Sequence, residues 1–298
     1  MPDIQMRFNK DMLVLSTPLD YQLSAQGFEG LADREYVVLN EPELIEEAFK
    51  LEKTLGVPVF VAPTEGITEA QLAHARLEGH AAEMARIAYE AGAQFAPQHY
   101  LAAIGPCALP LDPTSGPSMK QSRNQYRDAV RALAEYPFDA LYLNGFSSLY
   151  DAQCALMGAR AVYDGPLFIC LVPQPDGSFP CGRALPEAVA LCDEYGADVI
   201  GVSSAAPAAV LYGYADEMAK ATDKPKLMDI VVRKRDRRQF EPTDENPYPT
   251  ADALVDVALG LRARGVGFLR ASGDANPAYT GALLATVSGL DVAAGQLR

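Results

Sequence analysis

The sequence lacks the features of a membrane protein and of a nucleic-acid-binding protein. It contains no apolar run of about 20 residues, the length that a membrane-spanning helix needs. Its first residues, MPDIQMRFNKDM, lack the apolar core of a signal peptide. The formal net charge is −14, and the surplus of carboxylates would repel a nucleic-acid backbone. We therefore expect a cytoplasmic protein that binds neither membranes nor nucleic acids.

The common metal-binding and nucleotide-binding motifs are also absent. The sequence has three histidines without HxH or HExxH spacing, and five cysteines without a CxxC pair. Neither GxGxxG nor GxxxxGK[ST], the two common nucleotide-binding loops, occurs. Scattered cysteines are typical of reduced, buried thiols in a cytoplasmic protein. The residues alone therefore predict no metal site and no bound cofactor.

The sequence does contain a regular alternation of short apolar runs with helix-forming stretches. The segment GADVIGVSSAAP, residues 196–207, is typical: a buried parallel strand, two serines at its C-terminal end, and then a helix. Eight such strands are predicted, beginning near residues 12, 57, 99, 138, 166, 197, 225 and 266. Eight β/α units in about 250 residues or slightly more are typical of a TIM barrel. We therefore predict an α/β protein with a single (β/α)8 TIM barrel over residues 1–298.

Two local expectations accompany this pattern. Residues 36–40 (YVVLN) resemble a short strand, and Asn40 is expected to cap the helix that follows. Residues 68–92 are expected to form one long helix, because their apolar residues follow a rough helical stripe.

Polar residues follow several predicted strands, at the end where barrel enzymes carry their active sites. Two aspartates are candidates for a general base: Asp20, just past the first strand, and Asp229, within the seventh. Asp20 could instead be a solvated loop residue, and Asp229 would be costly inside the barrel unless it is paired. Side chains at other strand ends are candidates for substrate binding by hydrogen bonds: Thr64, Asn144, Ser203, Ser204, Ser272 and Asp274.

Several of these candidates have a purely structural alternative. Asn144 could hydrogen-bond its own backbone in a turn. Ser203, Ser204 or Asp274 could cap the helix that follows it. The residues leave both interpretations open.

Five short segments along the chain occur in a characteristic order. They are the helix PELIEEAFKLEKTLG, the IGP turn at residues 104–106, the helix DAQCALMGARAV, the strand GADVIGV and the final NPAYTGALL. In this order they resemble the homocysteine S-methyltransferase family. The resemblance covers nearly the whole chain and implies a TIM barrel that transfers methyl groups.

The residues that bind zinc in that family are replaced in this chain. The family's zinc cysteines follow the sixth and eighth strands, where this chain has Ser204 and the pair Ser272 and Gly273. Serine hydroxyls stay protonated and do not replace thiolates as zinc ligands. The family's glutamate that contacts the substrate amine corresponds to Asn144, and only Thr64 is retained from the motif after the second strand. The resemblance thus implies a divergent member without the three-cysteine zinc site, for which homocysteine is a poor acceptor.

A basic run, RKRDRR from Arg233 to Arg238, follows the seventh predicted strand. It begins a long Pro-rich loop, residues 233–249, on the expected catalytic face. In an acidic chain such a cluster could receive an anionic substrate or an acidic partner. The alternative is a solvated loop that pairs with the protein's own acidic surface.

These observations lead to one principal hypothesis and two alternatives. The principal hypothesis is methyl transfer to or from a small molecule, with no zinc bound. A corrinoid donor would have to come on a partner chain, because no DxHxxG pattern is present. The first alternative is a non-catalytic protein that kept the barrel to bind a small molecule or a partner. The weaker alternative is a non-methyl barrel enzyme with Asp20 or Asp229 as its base.

Overall fold

The computed structural model describes residues 3–28, 30–235 and 238–296. These residues contain eight strands: β1 (Leu13–Val14), β2 (Val59–Ala62), β3 (His99–Ile104), β4 (Ala140–Phe146), β5 (Leu167–Leu171), β6 (Val199–Ser204), β7 (Lys226–Val232) and β8 (Val266–Gly273). The same residues contain eleven α-helices: α1 (Asp20–Ala25), α2 (Leu31–Asn40), α3 (Pro42–Leu55), α4 (Glu69–Ala75), α5 (Ala81–Ala93), α6 (Gly116–Leu133), α7 (Leu149–Arg160), α8 (Leu185–Glu194), α9 (Ala208–Ala221), α10 (Ala253–Arg262) and α11 (Pro277–Gln296). None of these helices is both long and apolar enough to cross a membrane.

The eight strands form one parallel sheet whose two ends meet. Their order is β1-β8-β7-β6-β5-β4-β3-β2. A parallel bridge joins Leu15 to Val59, and the Ser16 amide donates to the Val59 carbonyl at 2.8 Å. The Ser16 hydroxyl also accepts from the Val61 amide at 2.9 Å. These contacts close the sheet, so the predicted single (β/α)8 TIM barrel is confirmed.

The barrel is packed on both faces of its sheet. Its interior holds buried aromatic residues such as Phe168 and Phe268, whose ring centroids are 5.0 Å apart. Phe8, which precedes β1, packs edge-on against both of these rings. The outer face of the sheet carries a second apolar set, including Ile200 and Leu269, that packs against the helices. Strands buried on both faces read as continuous apolar runs, which is why the strand pattern was visible in the sequence.

Residues 36–40 form the end of helix α2, so the prediction of a short strand was wrong. Val37 and Val38 are fully buried on the side of this helix that packs on the core. That packing outweighs the weak strand preference of β-branched residues. Asn40 is the last residue of α2, and its side-chain amide donates to the Tyr36 carbonyl at 2.9 Å instead of capping α3.

Residues 68–92 form two helices, α4 and α5, so the prediction of one long helix was also wrong. Arg76 and Gly79, which lie between the two helices, have φ values of 60° and 81°. The Glu69 side chain accepts from the Gly79 amide at 3.0 Å and holds the turn. A left-handed residue ends α4, and the chain changes direction before α5 begins at Ala81.

Candidate functional site at the barrel mouth

A layer of charged and polar side chains lies inside the barrel toward the C-terminal ends of the strands. Below this layer the interior is apolar, with Leu227 of β7 and Phe268 of β8 both buried. Asp229 and Arg270 lie two residues further along these strands, where they are directly paired across β7 and β8. Because residues two apart share a face of the sheet, both side chains belong to the barrel interior. We call this group, with Ser203, Ser272 and Tyr142, the inner polar layer.

Asp229 is the buried acid of the inner polar layer. It is 3% exposed, and its Oδ2 accepts a hydrogen bond from the Ser203 hydroxyl at 3.0 Å. Burial raises the pKa of Asp229, although the charge of Arg270 and hydrogen bonds from Ser272 and Ser203 act in the opposite direction. The carboxyl therefore holds a proton more readily than an exposed aspartate does, as a general acid or base requires.

Arg270 supplies the opposite charge in this layer. Its Nε donates to the Ser16 carbonyl at 3.0 Å, and its guanidinium carbon lies 5.5 Å from the centre of the Tyr142 ring. Three buried atoms of the inner polar layer have no hydrogen-bond partner among the described residues: Arg270 Nη1, Asp229 Oδ1 and the Tyr142 hydroxyl. Since buried polar atoms are normally paired, these atoms indicate a place for water or for the polar part of a ligand.

A second charged group lies beside the inner polar layer, where α2 meets the loop after β2. Arg34 Nη1 lies 3.2 Å from Glu65 Oε2, and Arg34 also pairs with Asp20. Burial raises the pKa of Glu35 to about 8; the charge of Arg34 opposes this rise and that of Glu65 adds to it. Asp20 thus forms a salt bridge with Arg34, whereas Asp229 keeps one oxygen without a hydrogen-bond partner among the described residues.

Two adjoining cavities open at the mouth, around the ends of β7 and β8. The first, here called the β7–β8 cavity, has a volume of about 320 Å³. The second, here called the α1 cavity, has a volume of about 260 Å³. Tyr21 and Asp274 line both, so the two cavities are neighbours. Volumes near 300 Å³ lie at the lower end of the range for small-molecule sites.

The basic run begins on this face of the barrel, as its position after β7 predicts. Arg233 and Arg235 line the β7–β8 cavity, and Lys234 lines the α1 cavity. Two further members of the predicted run, Asp236 and Arg237, lie outside the described residues.

The structure brings five of the predicted site residues into two groups. Ser203, Ser272 and Asp229 meet in the inner polar layer. Asp20 and Asp274 both line the α1 cavity. Ser272, Gly273 and Asp274 are consecutive, so the end of β8 connects the inner polar layer with the cavities above it.

The other three predicted residues stand apart from these groups. The Thr64 hydroxyl is fully buried and donates to the Ala103 carbonyl at 2.7 Å. The Ser204 hydroxyl accepts from the Ala206 amide at 3.2 Å. Both hydroxyls therefore already have backbone partners. Asn144 is half-buried near the end of β4.

Sequence reasoning missed Arg270, Tyr142 and Arg34 as members of the site. A signal for Arg270 was present, because alternation along VGFLRASG puts it on the same face as Phe268 and Ser272. An arginine on the inward face of a buried strand is rare enough to mark a functional position. Arg34 could not be placed from its pattern, since its helix was not recognised.

A zinc site made of three thiolates, as in the family that the sequence resembles, does not fit these residues. Ser204 ends β6, and Ser272 and Gly273 end β8. Gly273 has a φ of 69°, and a Cβ added there would lie 2.5 Å from the Val232 carbonyl oxygen, so its position excludes a ligating side chain. The free cysteines lie at other positions: Cys107, Cys154, Cys170, Cys181 and Cys192. Over the described ranges, no group of three or more His, Cys, Asp or Glu residues is arranged to hold a metal ion.

Comparison with solved structures shows the same fold in known enzymes. The metallated form of the homocysteine methyltransferase MmuM from Escherichia coli has a TM-score of 0.75 at 16% identity, over 93% of this chain and 96% of that one. Its apo form has a TM-score of 0.66 at 19% identity over the same shares. The carboxyl transferase domain of Rhizobium etli pyruvate carboxylase with pyruvate has a TM-score of 0.52 at 10% identity, over 91% of this chain and 41% of that one. At these identities the likeness shows the fold alone.

Comparison of the sequence with protein families is more specific. No curated protein matches the sequence. The family model described as homocysteine S-methyltransferase matches residues 15–258, from the end of β1 into α10. This match covers most of the chain, in agreement with the order of landmarks along the sequence. The chain therefore belongs to the homocysteine S-methyltransferase family.

Proposed function

We propose that this chain transfers a methyl group to or from a small molecule at the barrel mouth, without zinc held by three thiolates. The family match over residues 15–258 supports the reaction class. The observation that carries the proposal is the buried Asp229, whose carboxyl accepts a hydrogen bond from Ser203 at one oxygen and has no partner among the described residues at the other. It puts a proton acceptor near the strand ends where the resemblance places the family's zinc ligands.

The proposed chemistry requires a base. Methyl transfer forms a bond from an acceptor atom to the methyl carbon and breaks the bond from that carbon to the leaving group. An alcohol, amine or thiol acceptor also loses a proton, and a base of the chain must take it when no metal lowers the acceptor's pKa. We assign this role to Asp229 Oδ1, which has no partner among the described residues. Ser203 holds the other oxygen of the carboxyl, and the charge of Arg270 stabilises the carboxylate before it takes the proton.

The substrate binds, in this proposal, between the inner polar layer and the cavities above it. Because Asp229 is only 3% exposed, the acceptor's proton reaches it directly from the base of the mouth or through one bound water. Ser272 lies two residues beyond Arg270 on the inward face of β8, and Asp274 lines both cavities. We propose that Asp274 and Asn144 orient the substrate by hydrogen bonds.

The test is a methyl-transfer assay on wild-type protein and on Asp229→Asn. Onium compounds with isotopically labelled methyl groups serve as donors, and mass spectrometry follows the label into alcohol, amine and thiol acceptors. A general base contributes about 10²- to 10⁴-fold, so we expect Asp229→Asn to lower kcat by at least about 100-fold. Asp223→Asn is the matched control, because Asp223 is exposed and lies before the start of β7, at the opposite end of the barrel. An unchanged rate in folded Asp229→Asn would contradict the assignment of the base.

The same assay distinguishes the alternative functions. Asp229, buried and with a raised pKa, also suits an enzyme that abstracts a proton without methyl transfer. That enzyme would be favoured if a hydrogen on a ligand carbon exchanges with deuterium from the solvent while no methyl label is transferred. The exchange should then be lost in Asp229→Asn. Ligand binding with neither reaction would favour a non-catalytic binding protein.

We further propose that the basic run from Arg233 to Arg238 recruits an anionic substrate or an acidic partner in the cytoplasm. The position of Arg233, Lys234 and Arg235 beside the mouth cavities supports recruitment. The five free cysteines fit a reducing compartment.

A further inference from the structure

Three consecutive cations lie at the mouth outside the ion pairs of the described residues. Arg233, Lys234 and Arg235 are exposed, and none of them makes an ion pair with a described carboxylate. Two exposed arginines elsewhere, Arg86 and Arg131, each pair with an acid on their own helix, at 2.7 and 3.3 Å. In a chain with a net charge of −14, acids are plentiful, so this clustering of cations without described acid partners needs an explanation.

The loop itself positions the two arginines of this cluster. Arg233 Nη1 donates to the Glu245 carbonyl at 2.6 Å, and Arg235 Nη1 donates to the Pro249 carbonyl at 3.2 Å. The Arg235 guanidinium also lies 5.5 Å from the centre of the Phe240 ring. Each guanidinium is thus held through one nitrogen, and its planar fork keeps further N–H donors for a ligand.

Another part of the wall of the β7–β8 cavity comes from the start of α11 and the segment before it. There the Ala278 amide already donates to the Asn276 side chain at 2.9 Å, and the Tyr279 hydroxyl donates to the Tyr248 carbonyl at 3.0 Å. Asp274 adds one carboxylate to the cavity wall. The residues that line the cavity therefore include two arginines as donors and one carboxylate as a hydrogen-bond acceptor.

We propose that the β7–β8 cavity binds the oxyanion group of a small molecule, with Arg233 and Arg235 as its donors. The oxyanion is a phosphate or a carboxylate, because both match the donor geometry of a guanidinium fork. Asp274 accepts a hydrogen bond from a hydroxyl or amine of the same ligand. A volume of about 320 Å³ suits such a small organic anion, not an acidic surface of a macromolecule. This inference deepens the proposed recruitment of an anion and does not depend on methyl transfer.

The test measures anion binding directly, by isothermal titration calorimetry of the full chain. Inorganic phosphate and malonate are titrated separately, so the two arms distinguish a phosphate group from a carboxylate. We expect at least one of them to bind with a Kd of about 10 mM or tighter. Arg233→Gln with Arg235→Gln should weaken that binding at least about tenfold, and added salt should weaken it in the wild type. Arg233→Lys with Arg235→Lys should fall in between, because lysine keeps the charge without the fork.

The matched control removes the same charge elsewhere, through Arg86→Gln with Arg131→Gln. This control should bind the anion as the wild type does. The loop variant should melt within about 2 °C of the wild type, since both arginines are exposed and each loses only one hydrogen bond to a loop carbonyl. The proposal is overturned if neither anion binds, or if the loop variant binds as tightly as the control. The proposal is also overturned, in favour of an acidic partner, if neither small anion binds the wild type but poly-glutamate binds it and does not bind the loop variant.

The two proposals fail in different ways. Loss of methyl transfer in every assay, with phosphate or malonate still bound through Arg233 and Arg235, would refute the proposed reaction and leave the oxyanion site standing. Methyl transfer that depends on Asp229, without anion binding, would do the reverse.

Discussion

A buried glutamate near the inner polar layer makes the stability of this protein depend on pH in an unusual direction. Glu52 of α3 is 2% exposed, and its Oε1 accepts from the Thr17 amide at 3.2 Å. Burial raises the pKa of Glu52 from 4.5 to about 7, although hydrogen bonds from Thr17 and the charge of Arg270 oppose the rise. Between these two values the folded protein binds more protons than the unfolded chain. The free energy of unfolding therefore falls as pH rises through this window and levels off above about pH 7.

The size of this effect follows from the two pKa values. One pH unit corresponds to about 1.36 kcal/mol, so the full difference between about 4.5 and about 7 amounts to roughly 3.4 kcal/mol. Over the narrower range from about pH 5.5 to 7.5, the Glu52 contribution falls by about 2 kcal/mol. Glu52→Gln keeps a carbonyl oxygen for the Thr17 amide but does not titrate, so it should lack this part of the pH dependence.

Urea unfolding at several pH values measures the effect. The prediction concerns the difference between wild type and Glu52→Gln, because Glu35 and all other titrating groups are common to both proteins. Glu47→Gln, an exposed position on the same helix, is the control and should follow the wild type. Equal pH slopes for wild type and Glu52→Gln, or a steeper slope in Glu52→Gln, would refute the reasoning from burial.

Two further predictions concern zinc and homocysteine, the metal and the methyl acceptor of the family. Elemental analysis of protein purified without chelator should give far less than one zinc per chain, because Ser204, Ser272 and Gly273 offer no thiolate; a stoichiometric zinc bound at the ends of β6 and β8 would contradict this. Homocysteine should not be methylated at an ordinary enzymatic rate, because the family's zinc cysteines are replaced and position 144 is asparagine where the family has glutamate. Methionine formation with any onium donor at such a rate would show the prediction to be wrong.

The fold was largely predictable because parallel strands buried on both faces leave a direct mark in the sequence. The run that contains Val199, Ile200 and Val202 is apolar on consecutive residues, and β6 lies there. Residues 36–40 show the limit of the same signal. Val37 and Val38 satisfy a strand pattern equally well, and only their packing on the core makes that segment helical.

The position of the candidate site could be proposed from the sequence, but the contacts within it could not. Ser203, Ser272 and Asp229 each come near a strand end, so the rule for barrel mouths selects them one at a time. Their meeting depends on the register between β6, β7 and β8, which pairs Ser203 with Asp229 and Asp229 with Arg270. A strand register depends on long-range pairing, which a single sequence does not show. Thr64 was also selected by its position near a strand end, but its hydroxyl donates a hydrogen bond to the Ala103 carbonyl and does not join the inner polar layer.

The inner polar layer is hard to explain as a stabilising feature. Other strands present apolar side chains such as Leu15, Val61 and Ala103 to the same interior. Taking Asp229 and Arg270 out of water costs several kcal/mol each, and replacing buried charges by well-packed apolar residues is often neutral or stabilising by about 1–4 kcal/mol. The cost is greater here because Asp229 Oδ1 and Arg270 Nη1 have no hydrogen-bond partner among the described residues. Stability alone therefore gives no reason to keep an acid and an arginine inside the barrel, which supports a role for both in binding or converting a polar ligand.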